Sequence, residues 1–157
     1  MTRNTLILMA FLGSAALLAG AFAFQHLGGM APCKLCLWQR WPHGAAVPIG
    51  LAALAVPGVL LPLAGALAAL CTAAIGAYHT GVERGWWPGP TSCSGAGGVE
   101  RLSAQELFDQ IMAAPVIRCD EVPWQMLGLS MASWNMLVSL GLAALWLAAA
   151  RASRPAR

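Results

Sequence analysis

From Thr5 to Phe24 the chain runs twenty residues without a charge. As an α-helix that stretch is about 30 Å long, the thickness of a bilayer's hydrocarbon core. Three further apolar stretches follow, at about 37–56, 59–78 and 127–150. Composition agrees with a chain built for lipid: 59% of residues are apolar and 10% charged, where a soluble domain would be about a quarter charged, and the mean hydropathy is +0.67. With 157 residues there is no room for a second sizeable domain. The expected fold is all-α, a single membrane domain over 1–157: a four-transmembrane-helix antiparallel bundle with loops at about 25–36 and 79–126. Ala21-Phe22-Ala23 has the small-x-small look of a signal-peptide cleavage site, but the run before it is longer than a usual signal core, and we read it as a retained span.

Charge placement suggests an orientation. Arg3 precedes the first span, and Arg151, Arg154 and Arg157 follow the last, so the positive-inside rule puts both termini in the cytoplasm. The Lys34–Arg40 segment runs against that rule and is outweighed. All six acidic residues fall between Tyr78 and Trp124, with three arginines among them. Both cysteine-bearing loops therefore face outward, which in a bacterial inner membrane is the disulfide-permissive periplasm. The net charge of +3 is scattered or terminal and gives no sign of nucleic-acid binding. Within the long loop, Gly85 to Gly98 is rich in Gly, Pro and Ser and is expected to be mobile. Ser103-Ala104-Gln105-Glu106 then fits a capping box, opening a short helix to about Ala114. Leu107, Phe108, Ile111 and Met112 form its apolar face, so this amphipathic helix is expected to lie on the membrane surface or against the bundle's own loops.

Chemistry concentrates in Cys33-Lys34-Leu35-Cys36, with Arg40 four residues later. If a helix begins near Cys36, that sulfur sits at its N-terminus and Arg40 lies one turn on, on the same face. Unpaired N–H groups and a guanidinium both favour thiolate. Cys93 and Cys119 in the long loop make a second candidate pair. Two pairs on one side suit thiol–disulfide exchange, which needs an attacking thiolate and an accessible sulfur; the alternative is two inert staples of the outer face. Cys71, in mid-span, reads as a packed bystander. His26, His43 and His79 sit near the outer ends of spans. Their spacing with Cys33 and Cys36 matches no compact zinc motif, and a metal would block redox use of the thiols, so no metal cofactor is expected. His79 suits a hydrogen-bond partner or proton donor for a bound cofactor, or a solvated interface residue. Arg40 calls for a partner or a lipid headgroup. Trp38, Trp41, Trp86, Trp87 and Trp124 read as an interfacial belt.

Taken in order, Phe24-Gln25-His26, Pro32-Cys33-x-x-Cys36 with Arg40, Tyr78-His79-Thr80, Cys93, Cys119, and Leu127-Gly128-Leu129 with Trp134 closely resemble the disulfide bond formation protein B (DsbB) family. The resemblance implies a protein-dithiol:quinone oxidoreductase that reoxidises a periplasmic thioredoxin-like protein, DsbA, and passes the electrons to ubiquinone or menaquinone in the membrane. It further implies that Cys93 forms the mixed disulfide with that partner and that Cys119 is its mate. Cys33 then exchanges with Cys119, and Cys36 faces the quinone, with Arg40 stabilising thiolate and quinone oxygen. Two other readings are a non-catalytic four-span scaffold with structural disulfides and a reductase of the vitamin K epoxide reductase type, in which the order of the cysteine pairs differs from that found here.

Overall fold

A computed structural model describes residues 1–90, 103, 105, 108 and 118–153. Four long helices hold most of them: α1 (Arg3–His26), α2 (Lys34–Ala55), α3 (Leu60–Glu83) and α4 (Met131–Ala152). Each packs on two neighbours in the cyclic order α1, α2, α3, α4, and α4 closes against α1. The short link from Val56 to Val59, with Gly58 at φ 131°, reverses the chain so that α3 runs back along α2. By length and composition α1, α3 and α4 can cross a membrane. α2 has 22 residues, like α4, but Lys34, Gln39, Arg40 and His43 occupy its first half, and it is not among the helices apolar enough to qualify.

Side chains start three of the helices. Thr2, Cys33 and Ser130 each sit in extended backbone and accept a hydrogen bond from the N–H three residues on, satisfying one of the donors that a helix start leaves open. The core then forms where small residues admit large ones. Trp146 of α4 and Ile7 of α1 are fully buried. A Cβ on Gly65 of α3 would lie 2.5 Å from the Trp146 ring, and one on Gly50 of α2 would lie 2.4 Å from Phe11 of α1.

One end of the bundle is tied by an arginine. Arg3 donates from Nη2 to the carbonyls of Ala53 (2.7 Å) and Val56 (3.0 Å) and from Nε to Ser153 Oγ (2.9 Å). The guanidinium thus satisfies carbonyls left open at the end of α2 and fastens the start of α1 to the ends of α2 and α4.

At the opposite end the structure differs from expectation in three ways. α3 continues five residues beyond Tyr78, to Glu83, so His79 is a buried helical residue rather than a loop residue. α4 begins at Met131, and the residues before it form a two-stranded hairpin, β1 (Gln125–Met126) pairing antiparallel with β2 (Leu129–Ser130). Leu127 and Gly128 turn it with φ of 54° and 74°, the positive values that such tight hairpins require. Third, the chain leaving α3 folds back on it: Trp87 stacks on Tyr78 and donates to its carbonyl at 2.8 Å, and Tyr78 donates to the Pro88 carbonyl at 2.8 Å. The surface helix expected between Ser103 and Ala114 falls outside the described residues but for isolated positions.

Gly65→Leu should lower the thermal unfolding midpoint in detergent, by a destabilisation of about 1–3 kcal/mol, because overpacking against Trp146 displaces α4 from α3. Gly44, whose Cβ would meet nothing within 4 Å, supplies the control: Gly44→Ala should leave the midpoint unchanged or raise it. Equal behaviour of the two variants would mean that the glycine–tryptophan contact is not tight.

Candidate functional site

Cys33 starts the site by starting a helix. Its Sγ accepts the backbone N–H of Cys36 at 3.3 Å, the place usually taken by a serine or aspartate oxygen. α2 therefore begins earlier than a helix opening at Cys36 would, and Cys36 lies inside its first turn. The two sulfurs are 3.0 Å apart, with Cys33 donating to Cys36. That donated hydrogen bond, together with burial, pushes the Cys33 thiol up to about 12, while the nearby His79 pulls the other way.

The antiparallel packing of α3 on α2 brings His79 to this pair. Gln39, one turn beyond Cys36, donates from Nε2 to His79 Nδ1 at 2.9 Å. With the amide in that orientation the imidazole proton sits on Nε2, 3.6 Å from Cys33 Sγ and 3.9 Å from Glu83 Oε1. The Glu83 side chain is 6% exposed and accepts a hydrogen bond from Ser130. Ser130 in turn contacts Ser133 at 3.1 Å, and Ser133 contacts Thr80 at 3.1 Å. A line of hydroxyls thus leads from the start of α4 to the carboxylate beside His79.

Arg40 finds partners on α1. Its guanidinium donates to Gln25 Oε1 (2.5 Å) and to the Ala21 carbonyl (3.3 Å) and lies 5.0 Å from the centre of the Phe22 ring. Cys119 arrives from the other side, half-buried against Cys33, Leu35 and Val82. Burial raises its thiol; backbone N–H groups of Leu35 and Lys34 work against that shift, and its contact with Cys33 adds to it.

These groups surround a cavity of about 560 Å³. Cys33, Cys36, Gln39, Arg40, His79 and Glu83 form its polar wall, and Leu17, Phe24, Trp124, Met131 and Trp134 are among its apolar lining. Farther along α2 the wall stays polar. His43 Nε2 meets Asn135 Oδ1 at 3.0 Å, Asn135 donates to Thr72 Oγ1 at 3.1 Å, and Thr72 donates to the Gln39 carbonyl at 3.1 Å.

Of the residues singled out from sequence, Cys33, Cys36, Arg40 and His79 line this cavity and Cys119 packs against Cys33 without lining it, whereas Cys93 lies outside the described residues. Cys71 and His26 are exposed on outer surfaces. Trp38, Trp41, Trp86 and Trp87 are exposed as a belt requires, but Trp124 is not part of it: it packs on Phe24 with ring centres 5.4 Å apart and lines the cavity. His43 is buried in the bundle rather than placed at its rim. Sequence reasoning missed Gln39, Glu83, Asn135 and Ser130. Helical spacing held a signal for two of them, since Gln39 is three residues from Cys36 and Glu83 four from His79.

With reduced protein, alkylation of Cys33 should stay slow from neutral to mildly alkaline pH, and Cys36→Ala should quicken it, because the acceptor holding the Cys33 proton is gone. Peptide-resolved mass spectrometry reads each cysteine separately. An unchanged rate in Cys36→Ala would assign the high value to burial alone.

Comparison with known proteins bears on this arrangement. The family model described as "Disulfide bond formation protein DsbB" matches residues 3–149. Relatives named disulfide bond formation protein B include one from Stutzerimonas stutzeri (strain A1501), 35% identical over 89% of this chain and 90% of the relative. One from Methylococcus capsulatus is 36% identical over 90% of each chain. One from Verminephrobacter eiseniae (strain EF01-2) is 37% identical over 99% of this chain and 91% of the relative. No solved structure matches the chain.

Proposed function

Because the chain belongs to the disulfide bond formation protein B family, a multi-pass membrane protein with a role in disulfide formation, we propose that it is a quinone-dependent thiol oxidase. In this reading it reoxidises a DsbA-like periplasmic dithiol protein and delivers the electrons to ubiquinone or menaquinone. The carrying observation is that Cys33, Cys36 and Arg40 share one wall of a largely apolar cavity while Cys119 lies against Cys33.

The residues present fit a quinone. A cavity of about 560 Å³ is within the ~300–1,000 Å³ range of small-molecule sites. Its apolar lining suits a ring that dissolves in lipid, and the Arg40 guanidinium suits a carbonyl oxygen. When bound, a quinone supplies an acceptor for two electrons and two protons.

The chain's own cysteines carry the electrons to it. A partner thiolate attacks Cys93 of a Cys93–Cys119 disulfide and Cys119 leaves as thiolate; the partner's second thiolate then attacks the mixed disulfide, Cys93 leaves as thiolate, and the partner departs as a disulfide. The Cys119 thiolate attacks Cys33 of a Cys33–Cys36 disulfide, and Cys36 leaves. Cys93 then displaces Cys33, which restores the loop disulfide and leaves Cys33 and Cys36 reduced, two electrons richer. Each exchange breaks one S–S bond and forms one. Contact of Cys119 with Cys33 supports the exchange between these two sulfurs. Arg40 steadies negative charge at Cys36, and His79 holds a proton on Nε2 beside Cys33. In the same reading α2 is a fourth span, the protein sits in the bacterial inner membrane, both termini are cytoplasmic, and the cysteine end is periplasmic.

Quinone reduction by the purified protein, driven by a reduced thioredoxin-like partner, tests the relay. Cys36→Ser and Cys93→Ala should each abolish turnover. Arg40→Ala should raise the quinone KM roughly tenfold or more with helix content unchanged, as expected for a lost charge-assisted hydrogen bond of ~1.5–3 kcal/mol. Full turnover in Cys36→Ser would refute the relay. No turnover by the wild-type chain with any quinone or partner, with the cysteines oxidised throughout, would favour the structural-disulfide scaffold.

A further inference from the structure

Reduced Cys33 and Cys36 share their pocket with an imidazole, and that combination has a second chemistry. The two sulfurs and a ring nitrogen of His79 all lie within 4.8 Å of one another. A tetrahedral zinc ion, with Zn–S of ~2.3 Å and Zn–N of ~2.0–2.1 Å, needs ligand separations of about 3.8 Å between sulfurs and about 3.6 Å between sulfur and nitrogen. The observed Cys33 Sγ to His79 Nε2 distance is 3.6 Å. The sulfurs are 3.0 Å apart and would have to separate by about 0.8 Å to reach that edge. Cys36 is half-buried at the cavity wall, where its side chain has room to turn.

We propose that the reduced site is a trap for a soft divalent cation, Zn²⁺ or Cd²⁺, held by Cys33 Sγ, Cys36 Sγ and His79 Nε2, with a fourth position for water on the cavity side. All three residues line the cavity, which gives the ion an entry path. The surroundings supply what such a site needs beyond its ligands. A ligating Nε2 moves the ring proton to Nδ1, and Gln39, already 2.9 Å from Nδ1, accepts it by turning its amide to present Oε1. Glu83, 3.9 Å from Nε2, adds negative charge next to the ion. Thiolate ligands select zinc and cadmium over the hard cations.

Binding displaces two thiol protons and moves no electrons, so the ion remains divalent and both sulfurs remain reduced. Each sulfur's electron pair is then engaged with the metal and unavailable for exchange. The ion is therefore an inhibitor of the reduced state, not a cofactor, and the oxidised pair offers it no thiolate. The trap does not depend on the electron acceptor proposed above, because it is read without quinone or partner.

The test uses the full-length chain in detergent carrying Cys71→Ala, Cys93→Ala and Cys119→Ala, so that Cys33 and Cys36 are the remaining thiols. Anaerobic Cd²⁺ titration of the reduced protein, followed by the ultraviolet thiolate-to-cadmium absorption, should show one ion per chain, displaced by Zn²⁺. The oxidised form should show none. His79→Ala should weaken binding by at least roughly tenfold, with His79→Gln as a second variant if alanine disturbs the helices. Absence of the signal in the reduced chain would overturn the proposal, and so would undiminished affinity in both His79 variants. If metal binding fails while quinone reduction by the wild-type chain succeeds, the trap is wrong and the oxidase stands.

Discussion

A hydrogen bond between an amide and an imidazole, buried between two helices, positions everything at the functional end of this protein. Gln39 of α2 and His79 of α3 meet at 2.9 Å, and their partners are decided by that contact. Fixing the ring by Nδ1 directs Nε2 to Cys33. The backbone of Gln39 meanwhile accepts from Thr72, which takes a hydrogen bond from Asn135 and so draws in α4. In a low-dielectric interior a polar group left unpaired is costly, so these helices are bound to one another by chemistry as well as by shape. The bond also couples α2's register to that of α3: a slide by one turn, about 5.4 Å, would part the imidazole from both the amide and the thiol.

Around that joint the molecule is divided lengthwise. The Arg3 end is packed with aliphatic and aromatic side chains, and its small residues let Phe11 and Trp146 sink between helices. The Cys33 end is polar inside and hollow, with the cavity walled by all four helices and the segment leading into α4. A thiol pair in such a place is shielded from bulk water yet adjacent to a volume that a lipid-soluble ring could enter. Cys119 lies on that same end although it is distant in sequence, because the segment before the hairpin packs against the start of α2.

Much of this was readable in the chain. Uncharged runs located the helices to within a few residues, and the spacing of Cys36 and Arg40 implied a shared face, because one turn of helix separates them. The resemblance carried by the cysteines and their neighbours named the family that the comparisons support. What was not legible has a common cause. Periodicity reports where a helix is apolar, but the end of α3 carries His79, Thr80 and Glu83, whose polar side chains point into the protein and are satisfied there by Gln39, Ser133 and Ser130. A rule that ends a span at the first polar residues stops too soon in such a case. Trp124 was misread for the related reason that an aromatic near a span's end looks the same whether it faces headgroups or a cavity. The shape of the partner segment decides which, and that segment is the least patterned part of the chain.

The reduced apolarity of α2 bears on how such a chain is built. A helix is released from the insertion machinery into lipid according to its own side chains, and cationic or strongly polar groups oppose that step. α2 carries its polar face along one stripe, and groups on it find partners on α1, α3 or α4: Arg40 in Gln25 and Ala21, Gln39 in His79, and His43 Nε2 in Asn135. In the four-span reading proposed above, the helix on its own presents those groups to hydrocarbon, whereas beside α1, already synthesised, it presents Arg40 to a waiting partner. Insertion of this segment is thereby tied to assembly, with α1 serving as its first chaperoning surface and α3 as the second. In that reading, the polar residues that line the cavity make the membrane's acceptance of α2 a cooperative event.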